Sequence, residues 1–165
     1  AYKACGIVSY LKQQGTNVDI IMTKNACEFI TPITLETLSG NKVITDMFER
    51  PDYIDVKHIS LAKKADIFLV VPATANIIGK VANGIADDML STTIMATKST
   101  VVFVPAMNTG MYENPIVQNN FEKLKKYGYK IIEPTVGHLA CGDEAKGKLP
   151  ANNEIIDYIK TLIKE

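Results

Sequence analysis

The stretch Ile67-Phe68-Leu69-Val70-Val71, followed directly by Pro72-Ala73-Thr74-Ala75-Asn76, decides the fold of this 165-residue chain. Five consecutive apolar residues are typical of a strand that is covered on both faces of a parallel sheet. The proline ends the run, and small, hydroxyl and amide residues then lead into a helical pattern over residues 75–82. This order predicts a strand, a tight turn and a helix, which is the beginning of a β-α-β unit.

Three further apolar, β-branched runs have the same character and alternate with helical patterns. Alternation of this kind predicts an α/β fold with a doubly wound parallel sheet, and we expect residues 1–165 to form a single domain. The predicted strands are 18–22, 67–71, 101–104 and 129–132. The predicted helices are 4–14, 59–65, 75–82, 89–96, 115–127 and a last helix through residue 163, capped by Asn152 or Asn153.

Composition excludes several classes of function. Eighteen basic residues balance 18 acidic ones, so there is no global electrostatic reason to bind nucleic acid. No apolar run approaches the ~20 residues that span a bilayer, and no signal peptide is recognisable, so we expect no membrane association. The three cysteines, Cys5, Cys27 and Cys141, fit neither a disulfide framework nor a metal cluster. We therefore expect a reducing, cytoplasmic location and no bound metal.

Small and polar residues follow three of the predicted strands, where ligands bind in parallel α/β sheets. The three segments are Thr23-Lys24-Asn25, Pro72-Ala73-Thr74-Ala75-Asn76 and Pro105-Ala106-Met107-Asn108. Small side chains admit a planar ligand, hydroxyls and amides donate hydrogen bonds, and helix starts suit phosphate. The pattern indicates a nucleotide-like ligand, but ordinary strand-to-helix turns use the same residue types, and this alternative stays open.

Four motifs occur in order along the chain. They are residues 58–66 with 72–76, residues 83–91, Pro105-Ala106-Met107-Asn108-Thr109-Gly110-Met111-Tyr112, and Ala140-Cys141-Gly142-Asp143-Glu144-Ala145-Lys146-Gly147-Lys148. With these motifs the chain resembles the homo-oligomeric, flavin-containing cysteine decarboxylases, which have a Rossmann-like flavoprotein fold. The resemblance covers nearly the whole chain, and Tyr112 stands where the family usually has tryptophan. The last motif resembles the clamp that closes over substrate in the branch acting on phosphopantothenoylcysteine.

The resemblance implies FMN as cofactor and assigns its contacts to the strand ends. Phosphate or ribityl contacts are expected from Thr23 and Asn25, and Phe29 is expected to pack nearby. The residues that would line the flavin are Thr74, Ala75, Asn76, Ala106 and Met107, although methionine at such a place is often core filler.

The resemblance also assigns the chemistry to His58 and Cys141. A lone histidine at a helix start is usually a surface or capping residue, but the motif places the active-site histidine at His58, where imidazole can transfer protons. Asn108 would hold the substrate carboxylate with a neutral amide, the alternative being a turn-forming asparagine. The further substrate contacts are assigned to the clamp residues Ala140, Gly142, Asp143 and Lys148, of which Lys148 replaces a common arginine.

A cysteine carboxylate has no electron sink, so its decarboxylation needs a cofactor. The resemblance implies that FMN oxidises the thiol carbon to a thioaldehyde, that CO2 leaves to give an enethiolate, and that the flavin returns the electrons. Cys141 matches the final proton donor, which implies phosphopantetheine as product, within coenzyme A biosynthesis. The alternatives are a peptidyl-cysteine oxidative decarboxylase, a flavin prenyltransferase and a non-catalytic regulatory flavoprotein subunit.

Three expectations concern what surrounds the chain. The family begins with an apolar strand and a glycine-rich turn before a stretch like Ala1-Tyr2-Lys3-Ala4, so we expect the native protein to have that strand. Family members form trimers, or dodecamers built from trimers, and Thr92, Thr93 and Asn76 are expected to face a subunit boundary. The bacterial decarboxylase is often fused to the phosphopantothenate-cysteine ligase, and this chain is either a stand-alone enzyme or one half of such a protein.

Overall fold

The computed structural model describes residues 1–48, 57–138 and 144–163, with only the backbone of His138 and Glu144. Two compact units share the chain: Ala1–Ala65 with Ala86–Lys98, and Asp66–Ile85 with Ser99–Glu165. The elements in chain order are α1 (Ala4–Gln13), α2 (Lys24–Cys27), α3 (Pro32–Ser39), α4 (Lys57–Lys64), β1 (Ile67–Ala73), α5 (Ala75–Ala82), α6 (Met89–Ala96), β2 (Thr100–Pro105), α7 (Thr109–Tyr112), α8 (Pro115–Lys126), β3 (Lys130–Ile131), β4 (Thr135–His138), β5 (Glu144–Lys148) and α9 (Asn152–Ile163).

The first unit packs α1, α2 and α3 around a small apolar core. Val8, Met22, Leu35 and Val43 are buried together, and Cys5 and Cys27 are among the half-buried side chains against them. Both cysteines are free thiols, as their spacing predicts. The unit is therefore stabilised by burial of apolar surface from three helices and two extended segments.

The predicted strand 18–22 is wrong. Ile21 forms only an isolated parallel bridge with Ile44. The Met22 N–H donates to the Ile44 carbonyl, and the Ile44 N–H donates to the Ile20 carbonyl, each at 3.0 Å. A strand needs a paired neighbour along its length, and within the described residues only this one short segment lies beside it.

Helix α6 begins with a capping box. The Asp88 carboxylate accepts from the Ser91 N–H at 2.8 Å, and the Ser91 hydroxyl oxygen accepts from the Asp88 N–H at 3.2 Å. Thr93 is fully buried, and its hydroxyl donates to the Met89 carbonyl at 2.7 Å. The prediction that Thr93 faces a subunit boundary is therefore wrong, because its side chain is buried within the chain itself. Thr92 is half-buried, and its hydroxyl donates to the Ala86 carbonyl at 3.2 Å.

The second unit contains the parallel sheet that the apolar runs predict. The strand order is β1-β2-β3, with β2 paired in parallel to both neighbours. Strand β2 is the most deeply buried, since Val102, Phe103 and Val104 have no exposed surface. Helices α5 and α8 pack against each other. The prediction of an α/β fold with a parallel sheet is confirmed.

Most predicted helices are confirmed within one or two residues. Gly15 and Gly128, which follow α1 and α8, have positive φ values of 78° and 89°, and Gly128 ends its helix as predicted. The prediction that Asn152 or Asn153 caps α9 is wrong. The helix already includes Asn152, and the Ala151 carbonyl accepts the first helical bond from Ile155 at 3.2 Å.

Several elements were not predicted. They are the short helices α2 and α7, the helix α3 and the antiparallel hairpin formed by β4 and β5. Among the described residues, no helix has the length and hydropathy needed to cross a membrane.

The capping box of α6 yields a stability prediction. Asp88→Ala removes the side chain that accepts from the Ser91 N–H, so we expect the free energy of unfolding to fall by about 1 kcal/mol. Asp88→Asn keeps an accepting oxygen and should stay close to wild type. Urea unfolding of both variants tests this, and equal losses in the two would contradict the capping role.

Candidate functional site

Two turns of the second unit meet at the carboxyl edge of the sheet. Strand β1 is followed by Thr74, Ala75 and Asn76, and β2 by Ala106, Met107 and Asn108. The Ala106 N–H donates to the Ala73 carbonyl at 3.1 Å, which joins the two turns directly. The structure therefore brings together two of the three strand-end segments on which the nucleotide-like ligand was predicted.

Thr74 is the N-cap of α5. Its hydroxyl oxygen accepts from the Ile77 N–H at 3.5 Å, and both Thr74 and Asn76 are exposed. A hydroxyl that accepts one bond still carries its own proton to donate. The cap therefore fixes the Thr74 side chain without using its hydroxyl proton, which is the group that a ligand oxygen would accept.

Asn108 caps the single-turn helix α7. Its Oδ1 accepts from the Gly110 N–H at 2.9 Å, and its carbonyl accepts from the Tyr112 N–H at 2.9 Å. This is the turn-forming role that the sequence left open. The two roles are compatible, because a bond to the amide oxygen orients the amide NH2, which is the end that donates to a carboxylate.

Strand β5 lies with its backbone directly against this turn. The Met107 N–H donates to the Gly147 carbonyl at 3.1 Å, and the Thr109 hydroxyl donates to the Lys146 carbonyl at 2.9 Å. A Cβ on Gly147 would lie 2.2 Å from the Met107 carbonyl oxygen, and Gly147 has φ of 140°. Only glycine permits this approach.

Lys148, which the resemblance assigns to substrate binding, is the last residue of β5. The stem of its side chain lies over β4. A Cβ on Gly137 would lie 2.7 Å from Lys148 Cδ, so the stem occupies the space that a side chain at residue 137 would fill. The Thr135 hydroxyl donates to the Lys148 carbonyl at 3.3 Å. The remaining clamp residues assigned to chemistry or substrate, Ala140, Cys141, Gly142 and Asp143, lie outside the described residues.

A polar cluster connects α7 to β5. The Tyr112 hydroxyl donates to the Glu133 carboxylate, which also pairs with Lys125 at 3.3 Å and with Lys146 at 3.6 Å. Lys146 Nζ lies 5.1 Å from the centroid of the Tyr112 ring, within the range of a cation–π contact. Sequence reasoning noted Tyr112 only as a tolerated aromatic and missed Glu133 and Lys146, since no local pattern links them.

The pKa values of this cluster shift in opposite directions. Burial raises the pKa of the Tyr112 hydroxyl well above its ordinary value, and the hydrogen bond to Glu133 and its charge raise it further. Burial alone raises the pKa of Glu133, but the hydrogen bonds from Tyr112 and Lys125 and the nearby lysine charges outweigh it, so that this pKa is lowered. Glu133 is thus an anion and Tyr112 a neutral donor at neutral pH.

The first unit carries the other residues assigned to the flavin and to proton transfer. Thr23 caps α2 by accepting from the Ala26 N–H at 3.1 Å, Asn25 is exposed, and Phe29 keeps 77% of its surface in solvent. His58 is half-buried in the first turn of α4. Its position at a helix start is the one the sequence predicted.

The residues at the carboxyl edge of the second unit fit a flavin by their chemistry. Ala75 and Ala106 are small and half-buried, so a planar ring can approach the backbone. Thr74 and Asn76 add an exposed hydroxyl and an exposed amide, which are neutral groups for flavin oxygens and nitrogens. Met107 is half-buried beside them.

Comparison with known proteins supports this assignment. The flavoprotein family profile matches residues 1–164. A probable phosphopantothenoylcysteine decarboxylase of Streptococcus mutans is 44% identical, covering 97% of this chain and 90% of its own. The coenzyme A biosynthesis bifunctional protein of Bacillus subtilis is 48% identical over 94% of this chain, and the chain spans 38% of that relative's length.

Solved structures of cysteine decarboxylases are similar in fold to this chain. A PPC decarboxylase mutant complexed with pantothenoylaminoethenethiol has a TM-score of 0.86 and 26% identity, over 99% of this chain and 92% of its own. An FMN-dependent cysteine decarboxylase has a TM-score of 0.84 and 29% identity, over 99% of this chain and 89% of its own. Both share the fold along nearly the whole chain.

The contact between Gly147 and Met107 yields a second prediction. Gly147→Ala places a methyl group against the Met107 carbonyl, so we expect the free energy of unfolding to fall by about 2 kcal/mol or more. Gly128→Ala is the matched control, because Gly128 also has positive φ but has no atom within 4 Å of the position that a Cβ would occupy. It should lose only about 1 kcal/mol. Denaturant unfolding of both variants measures the difference, and equal losses would contradict the close contact.

The lowered pKa of Glu133 yields a third prediction. A depressed carboxylate pKa stabilises the fold above the unfolded-state value of about 4.3, and the contribution is lost as pH falls through the folded-state value. Glu133→Gln should therefore be less stable than wild type at pH 7 and lose less stability on acidification. Thermal unfolding from pH 7 to pH 3 measures both. If wild type and Glu133→Gln lost stability in parallel over the whole pH range, Glu133 would make no pH-dependent contribution to stability.

Proposed function

The chain belongs to the flavoprotein family, and on this premise we propose that it is an FMN-dependent decarboxylase that converts phosphopantothenoylcysteine to phosphopantetheine in coenzyme A biosynthesis. The observation that carries the choice of substrate is the 44% identity to a probable phosphopantothenoylcysteine decarboxylase along nearly the full length of both chains. The geometry of the second unit supports it, since the Asn108 amide, a neutral donor suited to a carboxylate, lies beside a turn that suits a flavin.

Asn108 would bind the substrate carboxylate. Its amide is oriented by the Gly110 N–H and backed by β5 through Met107 and Gly147. A neutral donor holds the carboxylate in place without the strong ion pair that would stabilise the ground state against loss of CO2. Lysine in place of Asn108 would bind the substrate more tightly but oppose the reaction.

The turn after β1 would hold the cofactor. Thr74 and Asn76 offer donors, Ala75 and Ala106 admit the ring, and Thr23 and Asn25 of the first unit are the proposed phosphate or ribityl contacts. Bound FMN would supply the two-electron oxidation and the return of those electrons that an overall non-redox decarboxylation requires.

Two groups would move protons. His58, in the first turn of α4, is proposed to take the proton released when the substrate thiol is oxidised, because imidazole can accept and donate protons as a general base and acid. Cys141 is proposed to give the last proton to the enethiolate carbon. Ala140, Gly142, Asp143 and Lys148 would contact substrate around it.

The same fold serves cysteine decarboxylases of more than one kind. An FMN-dependent cysteine decarboxylase is 29% identical to this chain. The second candidate is the peptidyl-cysteine oxidative decarboxylase that the family resemblance left open. The two candidates differ in their products, since only the first returns the electrons to the product.

The assembly and surroundings of the enzyme are also proposals. We propose a cytoplasmic enzyme that forms trimers or dodecamers and works with a phosphopantothenate-cysteine ligase. The support for the ligase is that the chain spans 38% of a bifunctional relative and 90% of a decarboxylase relative. Light scattering of the purified protein distinguishes the oligomers.

The proposed role of Cys141 yields a fourth prediction. Incubated with phosphopantothenoylcysteine, the FMN-loaded protein should release CO2 and form the saturated phosphopantetheine. Cys141→Ser should stop at a product two hydrogens lighter and leave the flavin reduced, because the last proton donor is gone. Mass spectrometry of the products and the flavin absorbance measure both.

Cys27→Ser is the matched control, since Cys27 packs against the core of the first unit and has no proposed role. It should form the saturated product. Binding of FMN without turnover of phosphopantothenoylcysteine would contradict the proposal, and oxidative decarboxylation of a cysteine-ended peptide would then establish the second candidate.

A further inference from the structure

The turn that presents Asn108 is too short to hold its own shape. Helix α7 has four residues, from Thr109 to Tyr112, and a single helical turn gains too few hydrogen bonds to offset its ordering. Asn108 caps one end and Tyr112 closes the other, joined by the bond from the Tyr112 N–H to the Asn108 carbonyl. The orientation of Asn108 therefore depends on tertiary contacts on both sides of it: the Met107–Gly147 bond before it and the contacts of Tyr112 after it.

Several contacts hold Tyr112. The residue is 6% exposed, and its ring lies 5.6 Å from the ring of Phe121 on α8, measured between centroids. Its carbonyl accepts from Gln118 Nε2, which is also on α8, and its hydroxyl donates to the Glu133 carboxylate. The contacts with α8 hold the residue on that helix, and the hydroxyl bond adds a separate restraint on the orientation of the ring.

Glu133 connects this turn to β5. Its carboxylate accepts from Tyr112 and pairs with Lys146, whose carbonyl in turn accepts from the Thr109 hydroxyl. Tyr112, Glu133, Lys146 and Thr109 thus form a closed loop of contacts between α7 and β5. Lys125 holds Glu133 from a further side, at 3.3 Å.

We propose that Glu133 is a positioning residue for substrate binding, which holds the Asn108 amide in register with β5 through Tyr112 and Lys146. This inference rests on the proposed function in one respect, that Asn108 binds the substrate carboxylate. Glu133 does not touch the substrate. Its effect passes through Asn108 and is absent when Asn108 has no amide.

The test compares KM and kcat of the FMN-loaded protein with phosphopantothenoylcysteine. Glu133→Gln and Tyr112→Phe should each raise KM about tenfold and change kcat less, because a mispositioned amide weakens a contact present in both the ground and transition states. Glu122→Gln is the control. Glu122 pairs with the same Lys125 at 3.2 Å and is exposed, so this variant should keep the wild-type KM.

The decisive measurement is made in the Asn108→Ala background. If Glu133 acts through Asn108, adding Glu133→Gln to Asn108→Ala should change KM less than about twofold. A further tenfold rise in that background, or an equal KM for Glu133→Gln and Glu122→Gln, overturns the proposal. If Glu133→Gln acted only by lowering stability, its effect would be the same with Asn108 present and in Asn108→Ala. A dependence of its effect on Asn108 would therefore not arise.

Amide hydrogen exchange gives a readout that needs no turnover. In the FMN-loaded protein without substrate, the Gly110 and Met107 amides, which bond Asn108 and Gly147, should exchange about tenfold faster in Glu133→Gln than in wild type. They should be unchanged in Glu122→Gln. If the wild type does not turn over substrate, the proposed function fails, while unchanged exchange in Glu133→Gln would overturn the positioning role by itself.

Discussion

The approach of two backbones, at Gly147 and Met107, is the constraint on which the candidate site of the second unit depends. A main-chain hydrogen bond joins the two residues at 3.1 Å, and no side chain fits between them. Because main-chain atoms have no rotamers to change, the contact fixes β5 against the turn after β2 more tightly than side chains could. The polar cluster around Glu133 then adjusts a turn whose distance from β5 is already set.

Three polar residues of the candidate site have a structural role that is compatible with the binding roles proposed for them. Thr23, Thr74 and Asn108 each use a side-chain oxygen to accept a backbone N–H at the start of a helix. This is the ordinary turn chemistry that the sequence offered as an alternative to ligand binding. The cap uses an oxygen, whereas the proposed binding roles need a hydrogen to donate, so the two roles are compatible in one side chain. Caps also hold these side chains in one rotamer before any ligand arrives.

Local patterns predicted the parts of the fold that depend on local physics. The apolar runs at β1 and β2 were found because strands covered on both faces leave an uninterrupted apolar sequence. Residues 18–22 have the same apolar pattern but lack a long partner strand among the described residues. The sequence of one segment does not show whether a second segment pairs with it. The β4–β5 hairpin was missed because glycine and lysine fill β5, and its packing against the turn after β2 is a tertiary contact. The positions of Asn108, Thr74 and Ala106 followed from the motifs, whereas the link from Tyr112 through Glu133 to Lys146 joins three distant segments.

The stem of Lys148 lies where a side chain on Gly137 would be, and this couples the two positions in evolution. A substituent at residue 137 requires the flexible stem of Lys148 to move to another rotamer or to be shortened. Arginine at 148 needs no other substitution, since its stem follows the same path. Among homologous sequences, the sizes of the residues at 137 and 148 should therefore covary.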